Sequence, residues 1–579
     1  MKKIKTEEPE KPGKDIPLVP NIGRRDLMKM GVGAGVMAAQ MLHAPSAPAQ
    51  EQQTPAQKPV YGPPPPSKPV PGGPPYITPH EPQHRVAKYG DFMNTSGRLY
   101  GNGPMDETSR KIVSYASSFS VDLADDKLVA DIGNMLEDTL GCAISAFETD
   151  SIRAGTRVAK WSPGGKFKST IWGYGVTTTP EMAGFVNCCM IRHFDNNSAG
   201  QHETDMVAGI LAVGEALHCS GTEVLSALVL FWEVFSALLA AQYAPGAPGD
   251  SGVNRTIDNH THAAALSVAL SKMMGLDEDR MANALSLSVV DSIPLYINHW
   301  ETPNSMSKSN HDAVQCRSAI FAALRAKAGI TGPSQPFEGA KGLMDTITGR
   351  FDLKIPARVR NTAGGDPGVP FAADDHRRII QTIVYKRWPV NGYGQQLYST
   401  IPEVKKFCSV EEIESIDMEV GAWGDGSGPW KMDPLNSETA DHSTWYCYSR
   451  LLLDEELSPA SYEKEKLTDP KVRALMAKIT QREESGNRIT VRTKSGQEKV
   501  FIAGKWTPEN LSWQLQSTTL EEMHKKFDAN CAYRGVTEVQ RDRIRKTWSD
   551  LRKVDDISVA IQETLANIGK VTPVEDSLS

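Results

Sequence analysis

The chain of 579 residues is long enough for two or more domains around a large core. Its 63 Lys and Arg against 70 Asp and Glu leave a formal net charge of −7, which excludes the broad basic footprint of a nucleic-acid-binding protein. Its 8 cysteines form no Cys-x-x-Cys pair and match no zinc-site spacing, so they read as buried thiols, with the adjacent Cys188 and Cys189 the one pair placed to oxidise.

The N-terminus reads as an address. Arg24-Arg25-Asp26-Leu27-Met28-Lys29 precedes a Gly/Ala/Met run from Met30 to Leu42, and Ala47-Pro48-Ala49 supplies a small-residue cleavage pattern. This is the pattern of a twin-arginine export signal over residues 1–49, which sends an already folded protein to the periplasm through the twin-arginine machinery. The apolar run falls short of the roughly 20 residues that span a bilayer. Residues 50–105 are rich in Pro, Gly and Gln, including Gly62-Pro63-Pro64-Pro65-Pro66, and read as a linker or a surface-hugging arm.

Residues 106–381 carry helical spacing. Helices are expected over Leu128–Ala146, Val207–Leu217, Glu223–Ala241 (with Thr222 as its cap), Ala263–Met274, Arg280–Val290 and Asp312–Ala328. Glu223–Ala241 is apolar nearly all round, the mark of a core helix, yet holds Glu233, which is either satisfied structurally or lines a pocket. Residues 382–518 change character: Ile383-Val384-Tyr385, Ile416–Val420, Arg488–Arg492 and Lys499–Ile502 read as strands. Helices return over 519–570, with Ile557–Ile568 amphipathic. The expected fold is mostly α with a smaller α+β domain: a large helical domain built from the N- and C-terminal parts, plus an inserted lid domain.

Chemistry concentrates in the run from His193 to Leu217. His193, Asp195, Asn196, Asn197, His202, Glu203 and Asp205 crowd the mouth of a helix that must be buried, which folding alone does not require. Lys308 and His311 lie in a polar stretch that reads as a loop before a helix, with Asn310 or Asp312 as its cap. By residue type alone, Lys308 and Lys386 read as surface charges. His260 and His262 alternate in Asp258-Asn259-His260-Thr261-His262. They read as hydrogen-bonded histidines at a helix start, as a pocket histidine, or, least well for want of further ligands at a recognisable spacing, as a metal pair. No metal or other cofactor is expected.

The order of these segments resembles the MmgE/PrpD family, which includes 2-methylcitrate dehydratase and cis-aconitate decarboxylase. His193 to Leu217 is similar to the family's Asp-rich turn, then a His, then a Gly-Ile-Leu-Ala helix. Trp232-Glu233-Val234 resembles a family helix. Lys308-Ser309 fits the family's Lys-bearing loop, and Lys386 with Trp388-Pro389 its Lys-x-Tyr/Phe-Pro segment. Pro434-Leu435-Asn436, Asp441-His442-Ser443 and Tyr446 are close to a motif of the dehydratase branch, and Asn510-Leu511-Ser512-Trp513 to another. The resemblance covers roughly Phe119 to Leu565.

The resemblance implies a lyase, with no cofactor, that acts on a small carboxylate by proton abstraction and loss of water, and a homodimer; the twin-arginine pattern makes it an exported one. The rivals are an epimerase, isomerase or decarboxylase on the same scaffold, a non-catalytic binding protein, and a metalloenzyme using His202, His260 and His262. His202 is the first candidate for acid/base work, oriented by Asp195, with His260 or His262 next, because imidazole titrates near neutrality. Lys308 and Lys386 supply fixed cations for carboxylates. Lys386, His193, His311 and Trp430 are expected to line the substrate site. The chain departs from the family where His193-Phe194-Asp195-Asn196 replaces a turn that opens with Asp. Trp430 stands where the decarboxylase branch carries Tyr, and Asn391 and Gln395 fall near positions that are His there. These changes argue against cis-aconitate decarboxylation.

Overall fold

The computed structural model describes residues 105–198, 202–243, 261–295, 297–300, 303–355, 359–361, 367–370, 383, 385–392, 394–420, 429–483, 488–503 and 518–575. The expected export signal, nearly all of the Pro-rich arm, the boundary at 381–382, the Asn510–Trp513 motif and His260 lie outside the described residues, as does the side chain of Trp430.

The helical body opens with α1 (Glu107–Ser118), whose N-cap Asp106 accepts the Ser109 amide, and α2 (Asp126–Ser145), capped the same way by Asp125. α3 (Asp150–Lys160) follows. A two-stranded antiparallel hairpin, β1 (Ser169–Ile171) with β2 (Val176–Thr178), leads into α4 (Pro180–Arg192), which starts on proline. Next come α5 (Val207–Leu217), α6 (Gly221–Tyr243), α7 (Thr261–Met273), α8 (Glu278–Asp291) and α9 (Ser307–Lys327). α9 runs through the middle, packed against α4, α7 and α8.

Small residues allow this packing. A Cβ on Gly209 of α5 would stand 2.8 Å from Cys316 Sγ on α9 and 2.9 Å from Leu266 Cδ2 on α7. Three helices thus cross at a point where no side chain fits. All eight cysteines are buried and free, as expected. α6 is long and apolar enough to cross a membrane, but 83% of that stretch is buried in the fold, so it is a core helix.

The remaining described residues include a short hairpin, β3 (Val359–Asn361) with β4 (Pro367–Pro370), and helix α10 (Ile401–Phe407). A four-stranded mixed sheet then forms from β5 (Ile413–Val420), β6 (Ile479–Glu483), β7 (Arg488–Thr493) and β8 (Glu498–Ile502), in the order β6-β5-β7-β8. β5 and β6 are parallel; the other pairs are antiparallel. Ile413, Ile416, Met418, Ile489 and Val491 give the sheet its buried face. Between β5 and β6 lie α11 (Ser437–Ala440), α12 (Thr444–Asp454) and α13 (Pro470–Met476). α14 (Leu520–Tyr533), α15 (Glu538–Trp548) and α16 (Ile557–Thr564) close the chain. α14 lies along α2, where Phe527 covers Gly141 so closely that a Cβ there would meet its ring at 2.8 Å. The fold is mostly α with a smaller α+β part, as the sequence leads one to expect.

Some local expectations are corrected. α9 begins at Ser307, so Lys308 and His311 sit in its first turns and neither Asn310 nor Asp312 caps it. Its polar start looks like a loop, but its side chains have buried partners: Ser309 meets His193, and Asp312 meets Arg192. α6 begins at Gly221 and is capped by Ser220 with Glu223, not by Thr222. The Leu551 carbonyl oxygen would lie 1.9 Å from a Cβ at Gly221, so only glycine can start the helix there. Tyr385 makes a single antiparallel bridge with Ser198 where a strand is expected, and α16 stops at Thr564 rather than Ile568.

Candidate active site

The end of α4 delivers Arg192, His193 and Asp195 into the body. Arg192 is fully buried, so its guanidinium must find carboxylates. It contacts Asp195 at 2.5 Å and Asp312 at 3.1 Å, with Asp205 3.8 Å away. Asp195 holds a left-handed backbone, φ 51°, and His202 another, φ 58°. Such conformations persist in non-glycine residues where the surroundings over-determine them, and they cluster at working sites.

Asp195 is the hub. The Lys386 ammonium donates to its backbone carbonyl at 2.8 Å and lies 2.8 Å from its Oδ1. His202 Nδ1 approaches the same oxygen at 3.5 Å, and His442 Nε2 stands 4.0 Å from Oδ2. Burial would push the Asp195 carboxyl up, but Lys386 and Arg192 outweigh it and hold the group well below the usual carboxylate range. His202 keeps 15% of its side chain accessible. Burial, and then the Arg192 charge, hold its imidazole well below the ordinary value against the pull of Asp195. At neutral pH it is therefore an uncharged base.

Two further carboxylates divide the roles. Asp312 Oδ1 on α9 lies 3.3 Å from His262 Nδ1 and 3.5 Å from His311 Nδ1. Its burial is outweighed by these histidines, and it is held low. Asp205, which takes an Asn197 amide at 2.7 Å, is pushed well up by burial and by Asp312. His262 also stacks on Phe235 with ring centroids 4.9 Å apart.

The mixed α/β part contributes Asp441 and His442, just before α12. The Lys308 ammonium donates to Asp441 Oδ2, and His442 Nδ1 meets Asp441 Oδ1 at 2.6 Å. Burial pushes the Asp441 carboxyl up to about 6, with Lys308 pulling the other way. His193, lowered by burial, shares hydrogen bonds with Ser309 Oγ (3.2 Å) and Ser437 Oγ (3.4 Å) and lies 4.0 Å from Glu438.

The structure thus gathers His193, Asp195 and His202 from the segment between α4 and α5, His262 from α7, Lys308 and His311 from α9, and Lys386 from the segment before Trp388 into one buried network, which Asp441 and His442 join from the turn between α11 and α12. The two lysines are fully buried, not surface charges. Glu233 is held apart from these pairings: its Oε2 takes the Tyr115 hydroxyl at 3.3 Å, while its Oε1 is buried with no hydrogen-bond partner among the described residues. Arg192, Asp312, Asp441 and His442 belong to the network without having been singled out by residue type. An arginine ending an otherwise apolar helix is the signal for Arg192. The motif around Asp441-His442 is the signal for that pair.

A helical body whose buried acid/base network is completed by residues of a mixed α/β part is the setting of an enzyme active site. Residues 110–356 match the MmgE/PrpD N-terminal domain and residues 396–551 the MmgE/PrpD C-terminal domain. The chain belongs to the MmgE/PrpD family. It is similar to 2-methylcitrate dehydratase of Salmonella typhi, 25% identical over 73% of this chain and 90% of the relative. The Salmonella typhimurium enzyme of the same name is 26% identical over the same shares, and that of Escherichia coli K12 is 25% identical over 64% of this chain and 76% of the relative.

Proposed function

We propose that the protein is an exported dehydratase that removes a proton beside a carboxylate of a small substrate and expels water. The observation that carries this reading is the pairing of an uncharged His202 with a second imidazole, His442, around the ionised Asp195. With Nδ1 turned to Asp195, His202 has Nε2 to take the proton from the substrate carbon. Lys308 and Lys386 provide positive charge for a substrate carboxylate and for the negative charge that develops as the C–H bond breaks. The electron pair then forms the C=C bond as the C–O bond breaks, and the leaving hydroxide takes a proton from His442, whose imidazolium is supported by Asp441. Closure between the helical body and the α/β part would keep water from these groups.

The twin-arginine pattern at Arg24-Arg25 supports a periplasmic address and passage through the twin-arginine machinery. We also assign a homodimer. Val314 and Phe321, two turns apart on α9 and each half exposed, offer apolar surface for a second copy. Incubation of the purified protein with hydroxy- and unsaturated di- and tricarboxylates, read by mass spectrometry, tests the chemistry. Loss or gain of one water supports dehydration. A product of unchanged mass points to epimerisation, and tight binding without product points to a binding protein.

A further inference from the structure

Lys526 lies on α14, far from the network in sequence, and is 9% exposed. Its neighbour Lys525 shows what a helical lysine ordinarily does: it pairs with Glu521 in solvent. Lys526 instead turns inward and uses its ammonium on three separate segments. It lies 2.6 Å from Asp138 Oδ1 on α2, and donates to the Asn196 carbonyl at 3.0 Å and to the Lys386 carbonyl at 2.8 Å.

The two carbonyls are telling. One belongs to the residue after Asp195, and the other to Lys386 itself. Asp195 and Lys386 meet at 2.8 Å, yet 191 residues separate them along the chain. Asp195 also holds a left-handed backbone that relaxes unless its surroundings hold it. A single charged donor bound to both backbones, and charge-compensated by Asp138, supplies that restraint. We propose that Lys526 is a positioning residue that fixes the Asp195 turn against Lys386, so that α14 sets the geometry of the active site. The proposal rests on the reading of Asp195 and Lys386 as active-site groups.

Two substitutions separate the clamp from a plain ion pair. Asp138→Asn removes the carboxylate charge but leaves both carbonyl bonds; the uncompensated ammonium should lower stability, while kcat and amide exchange over residues 195–198 should change far less than in the double variant. Lys526→Met removes all three contacts; paired with Asp138→Asn it leaves no buried carboxylate behind. That double variant should exchange faster at 195–198 and lose kcat on the order of 100-fold, the scale of an ångström of misplacement, with a much smaller change in KM. Lys526→Arg, which keeps the charge and donors, should recover part of the loss. Unchanged exchange at 195–198 in the double variant overturns the proposal. So does faster exchange spread evenly along α2 and α14, which marks a merely structural contact. The exchange measurement needs no substrate, so a failure of the proposed dehydratase activity is told apart from a failure of the clamp.

Discussion

Lys308 and Asp441 form a fully buried ion pair between residues 133 positions apart, joining α9 of the helical body to the α/β part. The other oxygen of Asp441 meets His442 at 2.6 Å. One carboxylate therefore serves a lysine and a histidine at once, and its protonation uncouples both.

That arrangement sets a pH dependence. Asp441 is pushed up to about 6 from an ordinary 3.8, chiefly by burial. Below that point it is protonated and supports neither the Lys308 ammonium nor a His442 imidazolium. Activity should rise as pH increases through about 6, seen as the acid limb of kcat/KM. Asp441→Asn should abolish that limb and lower kcat. The sign for stability is opposite: the folded state holds an extra proton between about 4 and 6, so this group's contribution to stability falls as pH rises across that window. An unchanged acid limb in Asp441→Asn removes Asp441 from the mechanism.

His202 is held uncharged by burial and Arg192, which suits a base and not a structural cation. His202→Ala should lower kcat by about 10²- to 10⁴-fold, the usual worth of a positioned acid/base group. The thermal midpoint should move little, because the imidazole is the most accessible of the network's histidines and lies 3.5 Å from Asp195. Retained turnover would reassign the proton transfer to His442.

Glu233 offers a control outside the network. Burial raises its carboxyl to about 8, with Tyr115 pulling against it, so it is protonated at pH 7. The folded state then binds more protons than the unfolded chain from its ordinary 4.5 up to about 8, and stability from this group falls as pH rises through that range, by at most about 1.4 kcal/mol per pH unit. Glu233→Gln keeps the shape and removes the ionisation. Denaturant melts should show stability near wild type at pH 5 and above wild type at pH 9, with activity retained.

The helices were legible because their apolar spacing is a local property. α5 is read to the residue, and β5 and β7 to within three. The family resemblance brought His202, Asp195, Lys308 and Lys386 together before any coordinates. What sequence could not supply was burial of charge. Lys308 and Lys386 look like surface lysines because their partners, Asp441 and Asp195, lie more than a hundred residues away. Asp312 looks like a helix cap for the same reason: its real partner, Arg192, comes from another helix. Polar residues at the start of α9 read as loop until the groups that satisfy them are known.

His193 tests how this chain differs from its relatives. The resemblance gives the turn an opening Asp, where this chain has a histidine that burial keeps uncharged between Ser309 and Ser437. Glu438 lies 4.0 Å from its Nδ1. His193→Asp would put a carboxylate beside Glu438 in a buried setting, where like charges cannot both ionise cheaply. The variant should be less stable than wild type, and should bind substrates carrying fewer carboxylates better than wild type does. His193→Asn, which keeps a neutral hydrogen-bonding group, should hold both stability and substrate preference. Competition between mono-, di- and tricarboxylates for the two variants decides the matter: identical preferences would show that His193 supports the fold without shaping the substrate.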